Sequence, residues 1–141
     1  MITYFTQDDY FSKWLGHKDV TPEVLANADD LLRRVNEVCE ICDLEGGIEF
    51  LLNPKTNSYV SGETLGGFRP QDAKVGASNS SHKTGQGIDI YDPNREIAMW
   101  FLKHAALLKE HGLYMEHPDY TKGWCHLTSR APRSGRTVFL P

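Results

Sequence analysis

The chain has 141 residues, which suits one domain with one hydrophobic core. Hydrophobic residues make up 40% of it and charged residues 24%, as in ordinary globular proteins. The formal net charge is -4 and no long run of Lys or Arg occurs, so neither nucleic acid nor an anionic membrane surface is an expected partner.

The N-terminal residues lack the features of an export signal. Residues 1–9 carry acidic side chains where a signal peptide carries basic ones, and no apolar segment long enough to cross a bilayer follows. We therefore expect synthesis in the cytoplasm without a signal peptide, and no membrane partner.

The three cysteines, Cys39, Cys42 and Cys125, do not suggest a disulfide framework, because their number is odd and no secretion signal precedes them. Cys39 and Cys42 form a single C-x-x-C without a second pair of ligands at a spacing suited to structural zinc. They lie near the end of a predicted helix, so we expect them to pack in the core.

The N-terminal third is predicted to be helical. Residues 7–15 form a short helix, and Thr21-Pro22-Glu23 starts a longer one with a capping hydroxyl, a proline at the first helical position and an early acid. Apolar residues recur at steps of three and four as far as Cys42, and Gly46-Gly47 ends this unit. Residues 1–45 are thus expected to be the helical part of a single domain that spans residues 1–141.

The rest of the chain combines strands, loops and one helix. A helix is predicted from Asp92 to Gly112, with His104 on its buried stripe, and residues 61–81 form a long irregular loop of the kind that is usually functional. The basic loop from Arg130 to Arg136 carries no motif. Strands are predicted over residues 48–52, around Asp89, and over residues 113–115, 123–127 and 137–140.

The stretch from Ser80 to Tyr91 combines a histidine, two glycines and an aspartate between two isoleucines. Side chains alternate along a strand, so Ile88 and Ile90 face one way and Asp89 the other. The glycines permit a tight turn that brings His82 back over Asp89. An imidazole and a carboxylate placed in this way suit a divalent transition metal, zinc above all. The alternative is a glycine-rich turn into an ordinary strand, with His82 exposed.

His126 lies on another predicted strand, on the face opposite to its apolar neighbours. If this strand pairs with that of Asp89, then His82, Asp89 and His126 converge. Two histidines, one carboxylate and an open fourth position are typical of a catalytic zinc site.

Such a site also needs a general base and a group that binds the substrate. Glu116 and Asp119, in the turn before the strand of His126, are candidates for the base that takes a proton from water. The alternative for Glu116 is a solvated turn residue. Arg69 is a candidate to bind a substrate carboxylate or the developing oxyanion, and its alternative is a salt bridge within its loop.

The segment Ser80-x-His82-x-x-Gly85-x-Gly87-x-Asp89 resembles the S-x-H-x-x-G-x-A-x-D signature of the zinc D-alanyl-D-alanine carboxypeptidases and their phage endolysin relatives. Their wider group includes the hedgehog-like and lysostaphin-like zinc peptidases. Gly67-Phe68-Arg69-Pro70 is similar to the S-G-x-R segment that precedes this signature, and Trp124-Cys125-His126-Leu127 is similar to the strand with the third ligand. Gly87 stands where alanine is usual, a small-for-small change that we expect to be harmless, and Gly67 stands where serine is usual. The motifs occur in the family's order, and the resemblance spans residues 48–127.

This resemblance implies an α+β fold with a small central antiparallel sheet and helices packed on one side. It implies that His82, Asp89 and His126 bind Zn2+ and that Arg69 stabilises the substrate or the transition state. The implied activity is that of a hydrolase, a metallopeptidase that cleaves peptide bonds in bacterial peptidoglycan stems, with a peptidoglycan peptide as its partner. We expect a monomer.

The general base is not fixed by a motif. Many relatives carry Glu-x-x-His, which would place an acid at Gly123, and others carry an acid two residues after the third histidine, at Thr128. We therefore rank Glu116 first as the base, Asp119 second and His117 third.

The sequence leaves three hypotheses for the function of this chain. The first is a single-domain zinc peptidase, either a carboxypeptidase or an endopeptidase, since both use the same metal ligands. The second is a non-catalytic zinc-binding structural or virion protein of the same fold, and the third is a metal-free binding domain. The lack of a signal peptide and of a separate wall-binding module fits a phage-encoded or prophage-encoded protein that acts at the cell wall.

Overall fold

The computed structural model describes residues 2–141 and has a central sheet of four strands. The strands are β1 (Gly87–Asp92), β2 (Tyr114–Glu116), β3 (Gly123–Thr128) and β4 (Val138–Phe139), in the spatial order β1-β3-β2-β4. The predicted α+β class is confirmed, but the sheet is mixed rather than antiparallel. β3 pairs antiparallel with both β1 and β2, so both of its edges are occupied. β4 therefore joins the remaining edge of β2, and it runs parallel to that strand.

Within residues 2–141, four α-helices accompany the sheet. They are α1 (Gln7–Phe11), α2 (Pro22–Gly46), α3 (Glu96–Lys103) and α4 (Ala105–Glu110), with short 3-10 helices at Ser12–Trp14, Ser81–Thr84 and Pro118–Tyr120. The start of α2 is as predicted, because the Thr21 hydroxyl accepts a hydrogen bond from the Val24 N–H at 3.2 Å. Its end is set by Gly47, whose φ of 65° is left-handed. Each helix within residues 2–141 is too short or too polar to span a bilayer.

The helix predicted from Asp92 to Gly112 begins later and is broken. The Asp92 carboxylate accepts hydrogen bonds from the N–H groups of Ile97 and Ala98 at 3.1 and 2.9 Å, so it caps α3 from outside the helix. The chain leaves the helical conformation at His104, where φ is -120°. His104 is therefore exposed and stacked on Trp100 at 3.9 Å, and its predicted burial is wrong.

Residues 48–52 do not form the predicted strand. Phe50, in the middle of this segment, packs among aromatic rings instead. Its ring centroid lies 4.8 Å from that of Tyr4 and 6.0 Å from that of Tyr59. Residues 59–61 cover the outer edge of β1 through backbone hydrogen bonds to Asp89 and Tyr91. Packing of the rings thus outweighs strand pairing in this segment.

The two faces of the sheet have different roles. Ile88 opposes Leu127 and Ile90 opposes Cys125 across β1 and β3, and all four side chains lie in the hydrophobic core. Cys39 and Cys42 are free and buried, as the sequence predicted, and Cys125 is also free and buried. The opposite face of the same strands carries polar side chains, which form the site described next.

Candidate metal centre

Three side chains from a stretch in which the first and last are 44 positions apart, His82 and His126, meet on the polar face of the sheet. One ligand atom from each of His82, Asp89 and His126 lies within 4.8 Å of the other two. Within residues 2–141 this is the group of histidine, cysteine and acidic side chains that could hold a metal ion. The predicted convergence is therefore confirmed.

Strand pairing places two of these three side chains. Asp89 on β1 lies directly opposite His126 on β3, and the His126 Nδ1 atom is 2.9 Å from Asp89 Oδ1. The backbone of Asp89 is itself held from outside the sheet, since its N–H donates to the Gly66 carbonyl and its carbonyl accepts from the Ser61 N–H. The carboxylate thus projects from a rigid position.

A short 3-10 turn places His82. Ser80 caps this turn and Gly85 ends it with a left-handed φ of 78°, so the imidazole folds back over β1. His82 Nε2 lies 3.3 Å from Asp89 Oδ1, and its Nδ1 lies 2.7 Å from the Gly67 carbonyl oxygen. A carbonyl only accepts hydrogen bonds, so Nδ1 carries the proton and donates.

This tautomer is the reason why the site fits a cation. In a neutral ring protonated at Nδ1, the Nε2 atom of His82 presents a lone pair to the Asp89 carboxylate. Two acceptors that face each other in a buried site repel unless a positive charge lies between them. Two imidazole nitrogens and one carboxylate oxygen are a donor set suited to zinc, and a carbonyl that holds the other nitrogen of a histidine is a common support for metal ligands.

The titration behaviour of these groups follows from burial and from their contacts. Burial lowers the pKa of His82, which favours the neutral ring. Burial alone would raise the pKa of Asp89, but the positive charge that His82 has in its protonated form, together with the hydrogen bond with His126, holds the pKa of this carboxyl well below its usual range. Asp89 is therefore ionised and His82 is neutral, which is the state that binds a metal.

Arg69 lies behind Asp89. Its Nη2 atom donates to Asp89 Oδ2 at 3.1 Å, Nε donates to the Leu65 carbonyl at 2.8 Å, and Nη1 donates to the Val75 carbonyl at 3.3 Å. The residue is only 8% exposed. Arg69 thus orients a metal ligand, and its contact with a substrate stays a prediction.

Glu116 is the candidate base that reaches the site. It ends β2, and the register of β2 against β3 continues to place it beside His126 on the polar face. Burial raises the pKa of this half-buried carboxyl. Within residues 2–141, its carboxylate forms no ion pair and no hydrogen bond, so it is available to a ligand in the cleft.

The two alternative bases lie elsewhere. The Asp119 side chain is 71% exposed and pairs with Arg95 at 3.3 Å on the surface. His117 accepts a hydrogen bond from the Asp119 N–H at 3.1 Å through Nδ1 and caps the short helix that follows. Neither side chain lines the cleft around the metal centre.

This cleft has a volume of about 650 Å³ and opens over the three candidate ligands. Beyond the predicted residues it is lined by Trp124, Phe139, Ser81, Arg130 and Arg133, among others. Trp124 could have been found from the sequence, because it lies two residues before His126 on the same strand face. Ser81 is the unspecified residue between Ser80 and His82 in the signature segment, and the others come from the loop after β3 and from β4, for which the sequence holds no motif.

Gly87 leaves room for a neighbouring hydroxyl. A Cβ at this position would overlap Ser81 Oγ and would lie 3.3 Å from His126 Cε1. The alanine that is usual in the resembled signature therefore requires the Ser81 side chain to move, so the change is less neutral in this chain than expected.

Comparison with protein families, with curated proteins and with solved structures found no match for this chain. The resemblance therefore stands on the ordered motif residues, and the functional conclusion has to be carried by the geometry of the site.

Proposed function

We propose that this chain is a zinc metallopeptidase that hydrolyses peptide bonds in the stem peptides of bacterial peptidoglycan, as a DD-carboxypeptidase or an endopeptidase. The observation that carries the proposal is a row of side chains across three neighbouring strands, in which Asp89, His126 and Glu116 are adjacent. His82 completes the donor set from above this row. Among the described residues, the Glu116 carboxylate has no partner, and it lies next to the metal ligands at the base of an open cleft. This arrangement is suited to hydrolysis.

The donor set supports zinc as the metal. His82, Asp89 and His126 supply two nitrogens and one oxygen, and the cleft leaves a side open for water or a substrate. Zinc bound in this way lowers the pKa of water towards 7 and polarises a carbonyl group.

The protein groups have separate roles in the proposed reaction. The Glu116 carboxylate accepts a proton from the attacking water and donates it to the nitrogen of the leaving amine. Its raised pKa favours the first transfer, because a more basic carboxylate accepts a proton from water more readily. Arg69 and the Gly67 carbonyl keep Asp89 and His82 in place, so the ligands need not reorganise during turnover.

The proposal is tested by zinc content and by peptide-bond cleavage in the same samples. We expect about one zinc per chain and release of amino groups from purified cell walls. We expect His82→Ala to lose both zinc and activity, and Glu116→Gln to keep zinc and lose activity. Asp119→Asn is the matched control, because this exposed carboxylate lies outside the cleft. Zinc-loaded parent protein that releases nothing from any wall chemistry would rule out the enzyme.

A second candidate function is a non-catalytic zinc-binding structural or virion protein of the same fold. It is favoured by Gly123, which stands where many relatives have the glutamate of Glu-x-x-His. Under this alternative the zinc is bound, but Glu116→Gln leaves every measured property unchanged. Either function fits a phage-encoded or prophage-encoded protein that acts at the cell wall, and purified walls are therefore the first substrate to use.

A further inference from the structure

The loop that follows β3 carries three arginines, Arg130, Arg133 and Arg136, and two of them face the cleft. Arg130, which is half-buried, and Arg133, which is exposed, line the cleft, whereas the equally exposed Arg136 does not. Within residues 2–141, none of the three pairs with an acidic side chain, although other arginines of the chain do. This is notable in a chain that has 19 acidic residues and 15 basic ones.

Arg69 is less suited than these arginines to bind an anion in the cleft. Its guanidinium already donates to Asp89 and to the carbonyls of Leu65 and Val75. Three of its five N–H groups are thus used within the protein, so the arginines of the loop after β3 are the cleft arginines that have no acidic partner in the described part of the chain.

The strand register shows where this basic group lies relative to the metal centre. Thr128 lies two residues beyond His126 on β3, a distance of about 7 Å along a strand. Arg130 lies two residues after Thr128 and is fixed, since its Nη2 donates to the Asn79 carbonyl at 2.6 Å and its N–H donates to the Thr128 hydroxyl at 3.1 Å. Trp124 lies two residues before His126, at the other end. The cleft thus has a basic end and an aromatic end, with the metal ligands between them.

We propose that Arg133, which lines the cleft together with Arg130, binds a carboxylate of the substrate at a distance from the scissile bond. This inference rests on the proposed function and narrows its substrate to an acidic peptide. An extended peptide spans about 3.3 to 3.6 Å per residue, so Thr128, after which the basic loop begins, is about two peptide residues from His126 along the strand. A guanidinium is suited to this role because its donors match the two oxygens of a carboxylate.

The experiment measures binding, so that it does not depend on turnover. Zinc-loaded Glu116→Gln protein is titrated with the pentapeptide L-Ala-γ-D-Glu-L-Lys-D-Ala-D-Ala and with two versions in which either the D-Glu α-carboxylate or the C-terminal carboxylate is an amide. We expect one of the two amides to bind about tenfold more weakly, the effect of one charge-assisted hydrogen bond. When Arg133→Gln is added to the Glu116→Gln protein, the free acid should bind about tenfold more weakly. The difference in affinity between the free acid and that amide should then disappear.

Two further variants control this result. Arg136→Gln removes a charge from the same loop outside the cleft, and we expect it to leave all three affinities unchanged. Arg130→Gln lowers affinity for the same carboxylate, and if it fails to fold, Arg133→Gln alone decides. The inference is overturned if the acid and both amides bind equally well. It is also overturned if Arg136→Gln loses as much affinity as Arg133→Gln.

Failure of this inference is distinct from failure of the proposed function. Parent protein that cleaves the acid and both amides equally well would refute the role of Arg133 and leave the peptidase intact. A chain that binds these peptides with the expected preference and never cleaves them would refute the peptidase and support the role of Arg133. Absence of binding to any of the three peptides would overturn the inference itself.

Discussion

Replacement of Arg69 by glutamine removes the guanidinium that contacts Asp89 and leaves a buried carboxylate without its cationic partner. Both side chains are about nine-tenths buried, with 10% and 12% of their surface exposed. Loss of one member of such a pair costs about 3–5 kcal/mol in other proteins, because the remaining charge is uncompensated. At about 3 °C per kcal/mol for a chain of this size, the metal-free variant should melt about 10–15 °C below the parent.

Zinc should reduce this loss. When a divalent cation neutralises Asp89, the remaining cost is that of the hydrogen bonds to the Leu65 and Val75 carbonyls, about 1 kcal/mol each. The zinc-loaded variant should therefore be destabilised by about 2 kcal/mol, which is less than in the metal-free state. By thermodynamic linkage, zinc should bind the variant about tenfold more tightly than the parent, because a competing cation beside the ligand has been removed.

Thermal melts with chelator and with excess zinc measure all four states. Arg33→Gln is the control, since Arg33 is 59% exposed and pairs with Asp30 on the surface. We expect it to change stability by less than about 0.5 kcal/mol in both conditions. The reasoning is refuted if zinc raises the melting temperature of Arg69→Gln by no more than that of the parent.

Three other changes test separate features. Glu116→Gln should lower kcat by about 100-fold or more at full zinc content. In the parent, kcat/KM should fall as pH drops through the raised pKa of Glu116, so the acid limb of the pH profile should lie above 4.5, the ordinary pKa of a glutamate. An acid limb below 4.5 at constant zinc content contradicts the role of Glu116 as base. Gly87→Ala should weaken zinc binding by displacing the Ser81 hydroxyl towards the site, and addition of Ser81→Ala should reverse much of this loss. Additive effects of the two substitutions on zinc affinity would exclude a steric coupling between residues 87 and 81. Asp92→Ala should cost about 1–3 kcal/mol by leaving two N–H groups of α3 without an acceptor, as measured by urea denaturation, and Asp92→Asn should cost less.

Periodicity and capping chemistry predicted much of the fold. The alternation around Asp89 and His126 assigned the correct face to each side chain, because a strand with one buried face has a period of two that few sequences mimic by chance. The start of α2 was equally readable, since Thr21 and Pro22 act within one turn of helix. These features depend on neighbours in the sequence.

What the sequence did not predict depends on contacts between distant residues. Phe50 sits in an apolar run typical of a strand, yet its partners Tyr4 and Tyr59 hold it outside the sheet. The parallel pairing of β4 follows from the occupied edges of β3, which no local pattern encodes. The same holds for the candidate base, because Glu116 lies beside His126 through the pairing of β2 with β3, and that register was not available from the sequence.

The division of β1 and β3 into an apolar face and a polar face has a consequence for how this protein can change. The buried side chains of Ile88, Ile90 and Leu127 pack in the core on the apolar face of these strands. Residues on the cleft side therefore contribute little of the packing energy. Substrate preference can therefore be altered at Trp124 or in the loop of Arg133 without repacking the interior. Directed evolution of new specificities should begin with libraries at these positions, where most variants are expected to stay folded.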